Sequence, residues 1–555
     1  MRVPTASLFV LLAATRASAQ APRPPRSAST QTAISADDLR SRLYLIADDS
    51  MMGRQPGEAG NYKAAEYVAS EFKRLGLEPA GENGTYFQTV PFVLMAPDAG
   101  TYLEAGGARF ALGTDVLLLG VPTTMRRLDN ASVVYGGAAN NPAEGITADA
   151  ASGKVVVLDI RPGPDGIRTT RGVQGVARDP RFANAKLIAI VALDLLPGEQ
   201  RASIQAGRLT VNSAQNPTAP PTAFISPKAA SALLGAEPSS MTPGAAGKTV
   251  SGSVGFAPKQ VAYAARNVVA ILRGSDPALK GQYVALTAHN DHVGFDRSPV
   301  DHDSLRAYNR VIRPMGADSP PRPPNAEEAA RITAIRDSLR AVRPPRLDSI
   351  RNGADDDGSG TVSILEIAEA MSAAKHPRRS ILFVNHTGEE SGLVGSGWFT
   401  DHATVPTDSI VAEIDQDMVG RGTAQDLPDA GPTYLEVVGA KRVSKEFGEI
   451  LEAVNAAQPV PFVFNYTFDA PGHPLQYYCR ADHYNYARYT IPAVAFSRGE
   501  HLDYHQVTDE AQYIDYPDMA RVSRFVHDAA LRIANLDHRP VIDIPKGDPH
   551  APCRQ

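Results

Sequence analysis

The chain has 555 residues, 43% of them hydrophobic, and a formal net charge of −6. That length exceeds what one simple core organises and predicts at least two domains. The acidic balance excludes a dedicated nucleic-acid binder, which needs a basic surface, and Cys479 and Cys553 are too few for a zinc site built from cysteines.

In chain order, residues 1–19 carry Arg2, an apolar run from Leu8 to Ala14, and Ala17-Ser18-Ala19 before Gln20. This is the pattern of a secretory signal peptide, and the run is too short to span a bilayer. No later stretch of membrane length is free of charges or breakers, so the expectation is a secreted or periplasmic protein with no membrane span. Residues 20–34, rich in proline and small polar residues, read as a disordered lead. Two helices then follow. Leu39, Leu43 and Ile46 mark one face of the first, after a start at Ser35-Ala36-Asp37-Asp38. Ala65, Val68, Phe72 and Leu75 mark the second, which stops at Gly76. Residues 35–105 are the first part of a catalytic domain on this reading. From 106 to 262 the composition shifts to Gly, Ala and Val, and short β-type runs alternate with turns, which predicts an inserted β-rich domain that covers or presents rather than reacts.

Residues 263–540 alternate strand-like and helix-like runs, as an α/β layer structure requires. They are interrupted at 296–351 by a segment with eleven arginines and no lysine. In it, Asn325 as a cap, Glu327 and Glu328 in the first turn, and Ile332, Ile335, Leu339 and Val342 on one face predict a helix ending before Pro344. This insert is either a lid at the mouth of a site or an ordinary surface excursion. A last helix spans about Asp518 to Asn535, and residues 541–555 form a tail. Cys479 and Cys553 could pair in an oxidising compartment, although sequence does not show that they meet.

Five segments concentrate metal-type ligands. Asn352 to Gly360 holds Asp355, Asp356 and Asp357 side by side, and three adjacent carboxylates need either solvent screening or a cation among them. Four strand-like apolar runs lead into His289-Asn290-Asp291-His292, Gly388-Glu389-Glu390, Asp415-Gln416-Asp417 and Glu500-His501-Leu502-Asp503-Tyr504-His505. In open α/β sheets ligands gather beyond the carboxyl ends of the strands, so one rim receives His, Asp and Glu from all five.

These motifs, in this order, resemble the signature of the M28 zinc peptidases, over about Leu39 to Phe92 and Arg266 to Leu536. The resemblance implies a three-layer α/β/α sandwich with a mixed, mostly parallel central sheet, and the β-rich insert looks like a protease-associated (PA) domain. It implies two zinc ions per chain: Asp356 bridges them, His289 and Asp417 complete one, and Glu390 and His505 the other. Glu389 matches the general base, and Asp291 the group that orients His289. Tyr504 matches a residue that in some members hydrogen-bonds the developing oxyanion. Peptides are the implied substrates, with removal of the N-terminal residue as the leading reaction. A carboxypeptidase or dipeptidase of the same family, clamping a substrate carboxylate with Arg421 or an arginine of the insert, is the alternative. A one-zinc glutaminyl cyclase fits the five ligand positions less well, and an inactive receptor-like scaffold has no need of Glu389 beside Glu390. No Gly-x-Ser-x-Gly elbow supports a serine hydrolase. His292 and His501 are read either as supporting groups or as ordinary neighbours, and His483 as structural support. His302, His376, His386, His402, His473, His527, His538 and His550 are read as surface or satisfied core residues. Sequence leaves the oligomeric state open.

Overall fold

The computed structural model describes residues 29–119, 125–163, 166–170, 173, 175–211, 220–316, 319, 322–423, 426–427 and 430–555. The signal-peptide reading and residues 20–28 of the lead lie outside them. Helix α1 (Ala36–Ile46) begins where the Ser35 side chain accepts the Asp38 amide, and its Leu39, Leu43 and Ile46 are fully buried. Helix α2 (Ala59–Arg74) buries Ala65, Val68 and Phe72, and Gly76, at φ +76°, turns the chain out of it.

Strands Phe92–Pro97 and Phe256–Gln260 then pair antiparallel, with Arg208–Val211 added on the other edge of the first. Between them lies an eight-stranded sheet reaching from Tyr102–Ala105 to Ala246–Val254. Successive side chains on a strand alternate faces. Val133 and Val155 therefore enter one apolar cluster, and Val134 and Val156 enter another on the opposite face.

The sheet that carries the ligand segments is nine-stranded and mixed. Its main strands are β1 (Ala265–Leu272), β2 (Tyr283–His289), β3 (Ser380–His386), β4 (Ile410–Gln416), β5 (Tyr434–Val438) and β6 (Ala493–Ser497), in the spatial order β1-β3-β2-β4-β6-β5. The middle of the sheet is parallel, since β2 pairs in parallel with both β3 and β4, and β4 with β6. β1 and β5 close the sides antiparallel. The four parallel strands are buried along their length and end on the same side, where His289, Glu389, Asp417 and the loop after Ser497 emerge.

Chain order between β2 and β3 gives helix α3 (His302–Ile312), helix α4 (Ala326–Arg340) and helix α5 (Gly360–Ala373); helix α6 (Tyr516–Ala534) follows β6. Val284, Leu286 and Phe383 pack beneath α1, α2, α5 and α6. Ala285, Leu382 and Val384 pack on the other face against Phe399 and Tyr486 of the short helices Val394–Asp401 and His483–Ala487. This makes three layers. α5 is apolar on nearly all sides and runs through the interior, as expected of a helix covered all round.

The Arg/Pro-rich insert folds on strands Phe295–Asp301 and Leu347–Ile350, which pair antiparallel, and on α3 and α4, which pack together. Asn325 caps α4 in a reciprocal capping box with Glu328, but none of the helix is buried. Ile332, Ile335 and Leu339 are half-covered, and Val342, past its end, is 82% exposed. The helix stands where its periodic face predicts it, and that face stays partly open because α4 packs chiefly against α3. Cys479 and Cys553 form a disulfide, Cα to Cα 5.9 Å, which fastens the C-terminal residues to the apolar cluster on one face of the central sheet.

Candidate metal centre

The aspartate loop is held by its own flanking carboxylates. Asp355 Oδ1 accepts the Gly420 amide at 2.6 Å, and Asp357 accepts the amides of His289 at 3.0 Å, Gly360 at 2.8 Å and Met418 at 3.3 Å. Both therefore pin the loop to the ends of β2 and β4. The carboxylate of Asp509 accepts the amides of Asp355 and Asp356 from the other side, at 3.1 and 3.2 Å. Beneath lies Arg54, fully buried, which donates to the carbonyls of Ile46, Asn290, Asn352, Gly353 and Asp356. It supplies a fixed positive charge under the acidic loop, which offsets part of the repulsion among the carboxylates. A Cβ at Gly360 would stand 1.9 Å from the Gln416 carbonyl, so only glycine lets α5 start this close to β4.

With its neighbours so engaged, the Asp356 carboxylate faces out of the loop and meets side chains from every other ligand segment. His289 Nε2 lies 3.2 Å from Asp356 Oδ1 and 3.7 Å from Asp417 Oδ1. His505 Nε2 lies 3.0 Å from Asp356 Oδ2 and 2.9 Å from Glu390 Oε2. His292 joins this second set, its Nδ1 2.8 Å from Glu390 Oε1 and 3.6 Å from Asp356 Oδ2. Two compact groups of potential ligands result: His292, Asp356, Glu390 and His505, and beside them His289, Asp357 and Asp417. His289 Nε2, both nitrogens of His292, Asp356 Oδ2, Glu390 Oε1, Asp417 Oδ1 and His505 Nε2 are buried atoms with no hydrogen-bond partner among the described residues. Buried polar atoms are rarely left so. An imidazole and carboxylate donor set of this kind suits zinc, so the residues present fit metal ions on both sides of Asp356.

Electrostatics agree with that fit. Burial pushes the Asp356 carboxyl up, but His292, His289 and His505 outweigh it and hold Asp356 well below the usual carboxylate range. Burial opposes charge on His505, yet Asp356 and Glu390 raise it to about 10. Without a cation, a proton there is the positive charge that the acids demand, and metal binding displaces it.

Glu389 sits next to these groups without joining either, with Oε2 4.0 Å from His289 Nε2. Burial drives its carboxyl well above the usual range; His289 opposes this, and Glu390 and Asp417 add to it. Asp291 stands 3.6 Å from His289 Nδ1, while the Asp291 backbone carbonyl is nearer, at 3.2 Å. Its carboxylate also accepts the amides of Glu389 at 3.1 Å and Glu390 at 3.3 Å, so it orients the acid pair as well as the imidazole. The Tyr504 ring stacks on His505, centroids 3.8 Å apart, and borders the same small cavity as Glu389. Burial, then Asp356 and Glu500, push its hydroxyl well above the usual tyrosine range and keep it a donor.

Residues 267–530 match the model of peptidase family M28. This part of the chain belongs to that family. Leucine aminopeptidase 1 of Paracoccidioides brasiliensis is 30% identical over 198 residues, which are 34% of this chain and 48% of that protein. The protein of the same name from Ajellomyces dermatitidis is 30% identical over 230 residues, 39% of this chain and 55% of that protein. The chain thus spans about half the length of the curated relatives it matches. Among solved structures, a zinc aminopeptidase from Bacillus subtilis aligns with a TM-score of 0.47 and 17% identity, covering 90% of this chain and 95% of that one. An aminopeptidase from Aneurinibacillus sp. strain AM-1 aligns with a TM-score of 0.48 and 17% identity, covering 92% and 96%.

Two cavities meet the centre of this M28 domain. One, of about 70 Å³, is bordered by Glu389, Asp417, Met418, Glu436, Arg480 and Tyr504. The other, of about 430 Å³, runs between His292 and Glu390 on one side and the strand at Arg208–Thr210 of the β-rich insert on the other. Sequence reasoning left His292 undecided and missed Asp509 and Arg54. The spacing His289-x-x-His292 was a usable signal for the first. Nothing local marks the other two, whose partners lie far along the chain.

The remaining histidines divide. His386 bonds the Tyr486 hydroxyl at 3.0 Å, and His483 is a buried neutral group, drawn down to about 3 by burial and then Arg442. His501 reaches Asp355 Oδ2 at 3.3 Å, a supporting position behind the loop. His302 departs from the satisfied-core reading: it is fully buried, and neither ring nitrogen has a hydrogen-bond partner among the described residues.

Proposed function

We propose that the chain is an exported di-zinc aminopeptidase. His289, Asp417 and Asp356 would hold one ion, and Asp356, Glu390 and His505 the other, with His292 beside Glu390 as a further donor. The observation that carries this reading is the group His292, Asp356, Glu390 and His505 lying against His289, whose Nε2 is 3.2 Å from Asp356 Oδ1 and 3.7 Å from Asp417 Oδ1, beside a Glu389 that joins neither group and a cavity of about 70 Å³. Asp356, Glu389, Asp417, Glu436 and Glu500 border it with Arg480 as the one basic residue, an environment for a substrate α-ammonium.

Bound zinc would supply Lewis-acid polarisation and a water of lowered pKa. Glu389 takes the proton of the attacking water and returns it to the departing amine, a role suited to a carboxyl that burial makes more basic than usual. Tyr504 donates to the developing oxyanion, and Asp291 holds His289 and the Glu389–Glu390 backbone in register. The export pattern at residues 1–19 and the disulfide support an oxidising location, and no helix among the described residues is long and apolar enough to cross a membrane. Residues 106–262 present the strand that walls the larger cavity, which supports a covering role.

Four of the arginines that a carboxypeptidase could use as clamps are already engaged. Arg421 is 2% exposed and engaged with Asp426 and Asp503, while Arg306, Arg343 and Arg346 of the insert pair with Asp503, Asp303 and Glu510. The deciding assay compares peptides blocked at either end. N-terminal acetylation should abolish cleavage and C-terminal amidation should spare it; the reverse pattern refutes the aminopeptidase.

A further inference from the structure

The insert at 296–351 contains a second kind of polar cluster, separate from the centre at Asp356. His302, at the start of α3, is wholly buried with both ring nitrogens lacking hydrogen-bond partners among the described residues. Its Nε2 stands 3.5 Å from Glu510 Oε2 and its Nδ1 3.6 Å from Asp303 Oδ1, while the ring stacks on Tyr513 with centroids 6.2 Å apart. Asp348, on the return strand of the insert, completes a group with His302 and Glu510 whose donor atoms all lie within 4.8 Å of one another.

The spacing discriminates between two causes. Two ligands of one tetrahedral zinc stand about 3.4 Å apart, given bonds of about 2.1 Å. An N–H···O bond is shorter, about 2.9 Å. The 3.5 Å between His302 and Glu510 matches the first. A cation there would share Glu510 and Asp348 with Arg346, which lies 2.5 Å from Glu510 Oε1 and 3.7 Å from Asp348 Oδ2, and would displace Gln512 from Glu510 Oε2, while Arg343 pairs with Asp303.

We propose that His302, Asp348 and Glu510 bind a further divalent transition-metal ion, of which zinc is the probe, and that this ion fastens the insert to the loop carrying His505. Two of the ligands belong to the insert and the third to the loop. Glu510 follows Asp509, whose carboxylate holds the amides of Asp355 and Asp356, so the clip braces the wall behind the main centre. The proposal does not depend on the peptidase reading.

Zinc content per chain, measured by elemental analysis after equilibration with free zinc, tests it. His302→Gln and Glu510→Gln should each lose one equivalent relative to the unaltered protein, and Asp356→Ala should keep that equivalent. Limited proteolysis within 296–351 should slow at least tenfold when zinc is restored to chelator-treated protein, and not in His302→Gln. If a variant fails to fold, anomalous diffraction at the zinc edge from the zinc-saturated unaltered protein replaces it, with a peak among the three side chains expected. Unchanged zinc content in folded His302→Gln and Glu510→Gln, or no peak there, means a plain His–Glu pair and overturns the proposal.

Discussion

Asp355, Asp356 and Asp357 are adjacent and chemically identical, yet each is set to a different task by what faces it. Both outer carboxylates accept backbone amides, and Asp357 also stands beside His289 and Asp417, while Asp356 turns its oxygens to the imidazoles opposite. A similar division separates Glu389 from Glu390, since only Glu390 lies within 3 Å of His505 and His292. Glu389→Gln is accordingly expected to retain its zinc and lose roughly 10²- to 10⁴-fold in turnover, read by steady-state kinetics beside metal analysis. Near-normal turnover would remove it as the base. A second residue-scale prediction concerns Glu366, which shares buried Arg42 with Glu71 and Glu369. Burial, opposed by Arg42, raises Glu366 from 4.5 to about 7. The folded state therefore binds the proton more tightly than the unfolded one. The stability this contributes is fully present below about pH 4.5 and is lost as pH rises through about 7, up to about 3 kcal/mol. Glu366→Gln should flatten the decline in urea-unfolding free energy over that window; an unchanged slope contradicts the assignment.

At the scale of elements, the parallel strands deliver the ligands and the insert braces the loop that bears His505. Arg306 of α3 lies 2.7 Å from Asp503 and 3.5 Å over the Tyr513 ring, and Asp503 also accepts the Thr508 hydroxyl at 2.7 Å. Removing one partner of a buried charge pair costs about 3–5 kcal/mol, and less where a second cation remains, as Arg421 does here at 3.2 Å. Arg306→Met is expected to lower Tm by several degrees and to weaken zinc retention at the His505 side, followed by calorimetry and chelator competition. Equal retention would show that the loop stands without the insert.

For the whole molecule, the two faces of the central sheet are covered by separate cores, and the Cys479–Cys553 link, 74 residues apart in sequence, secures the C-terminal residues to one of them. Gln555 contributes there by accepting the Tyr478 amide at 2.9 Å and donating to the Phe468 carbonyl at 3.0 Å. A loop of this size gives about 4 kcal/mol by the chain-entropy argument. Cys553→Ser, or reduction of the unaltered protein, should lower the unfolding free energy by that order and expose 541–555 to proteases. Identical unfolding curves with and without reductant would dismiss the link as a stabilising element.

Much of the centre was legible because strand, carboxyl end and ligand are local in sequence. An apolar run followed by His289, Glu389 or Asp417 says both where the strand stops and what it offers, and parallel packing collects such ends on one side. The amide-binding duties of Asp355, Asp357 and Asp509 were not legible, nor was the charge of Arg54 under the loop. The turn of His292 toward Glu390 and the engagement of Arg421 with Asp426 and Asp503 were equally hidden. The amino-acid order by itself determined the layered α/β class and the order in which the candidate ligand segments appear. Only the tertiary structure decided which carboxylates ligate and which brace, whether the two cysteines meet, and that His302 of the insert stands against Glu510. Those outcomes depend on contacts between residues far apart in the chain, which packing sets and no local pattern encodes.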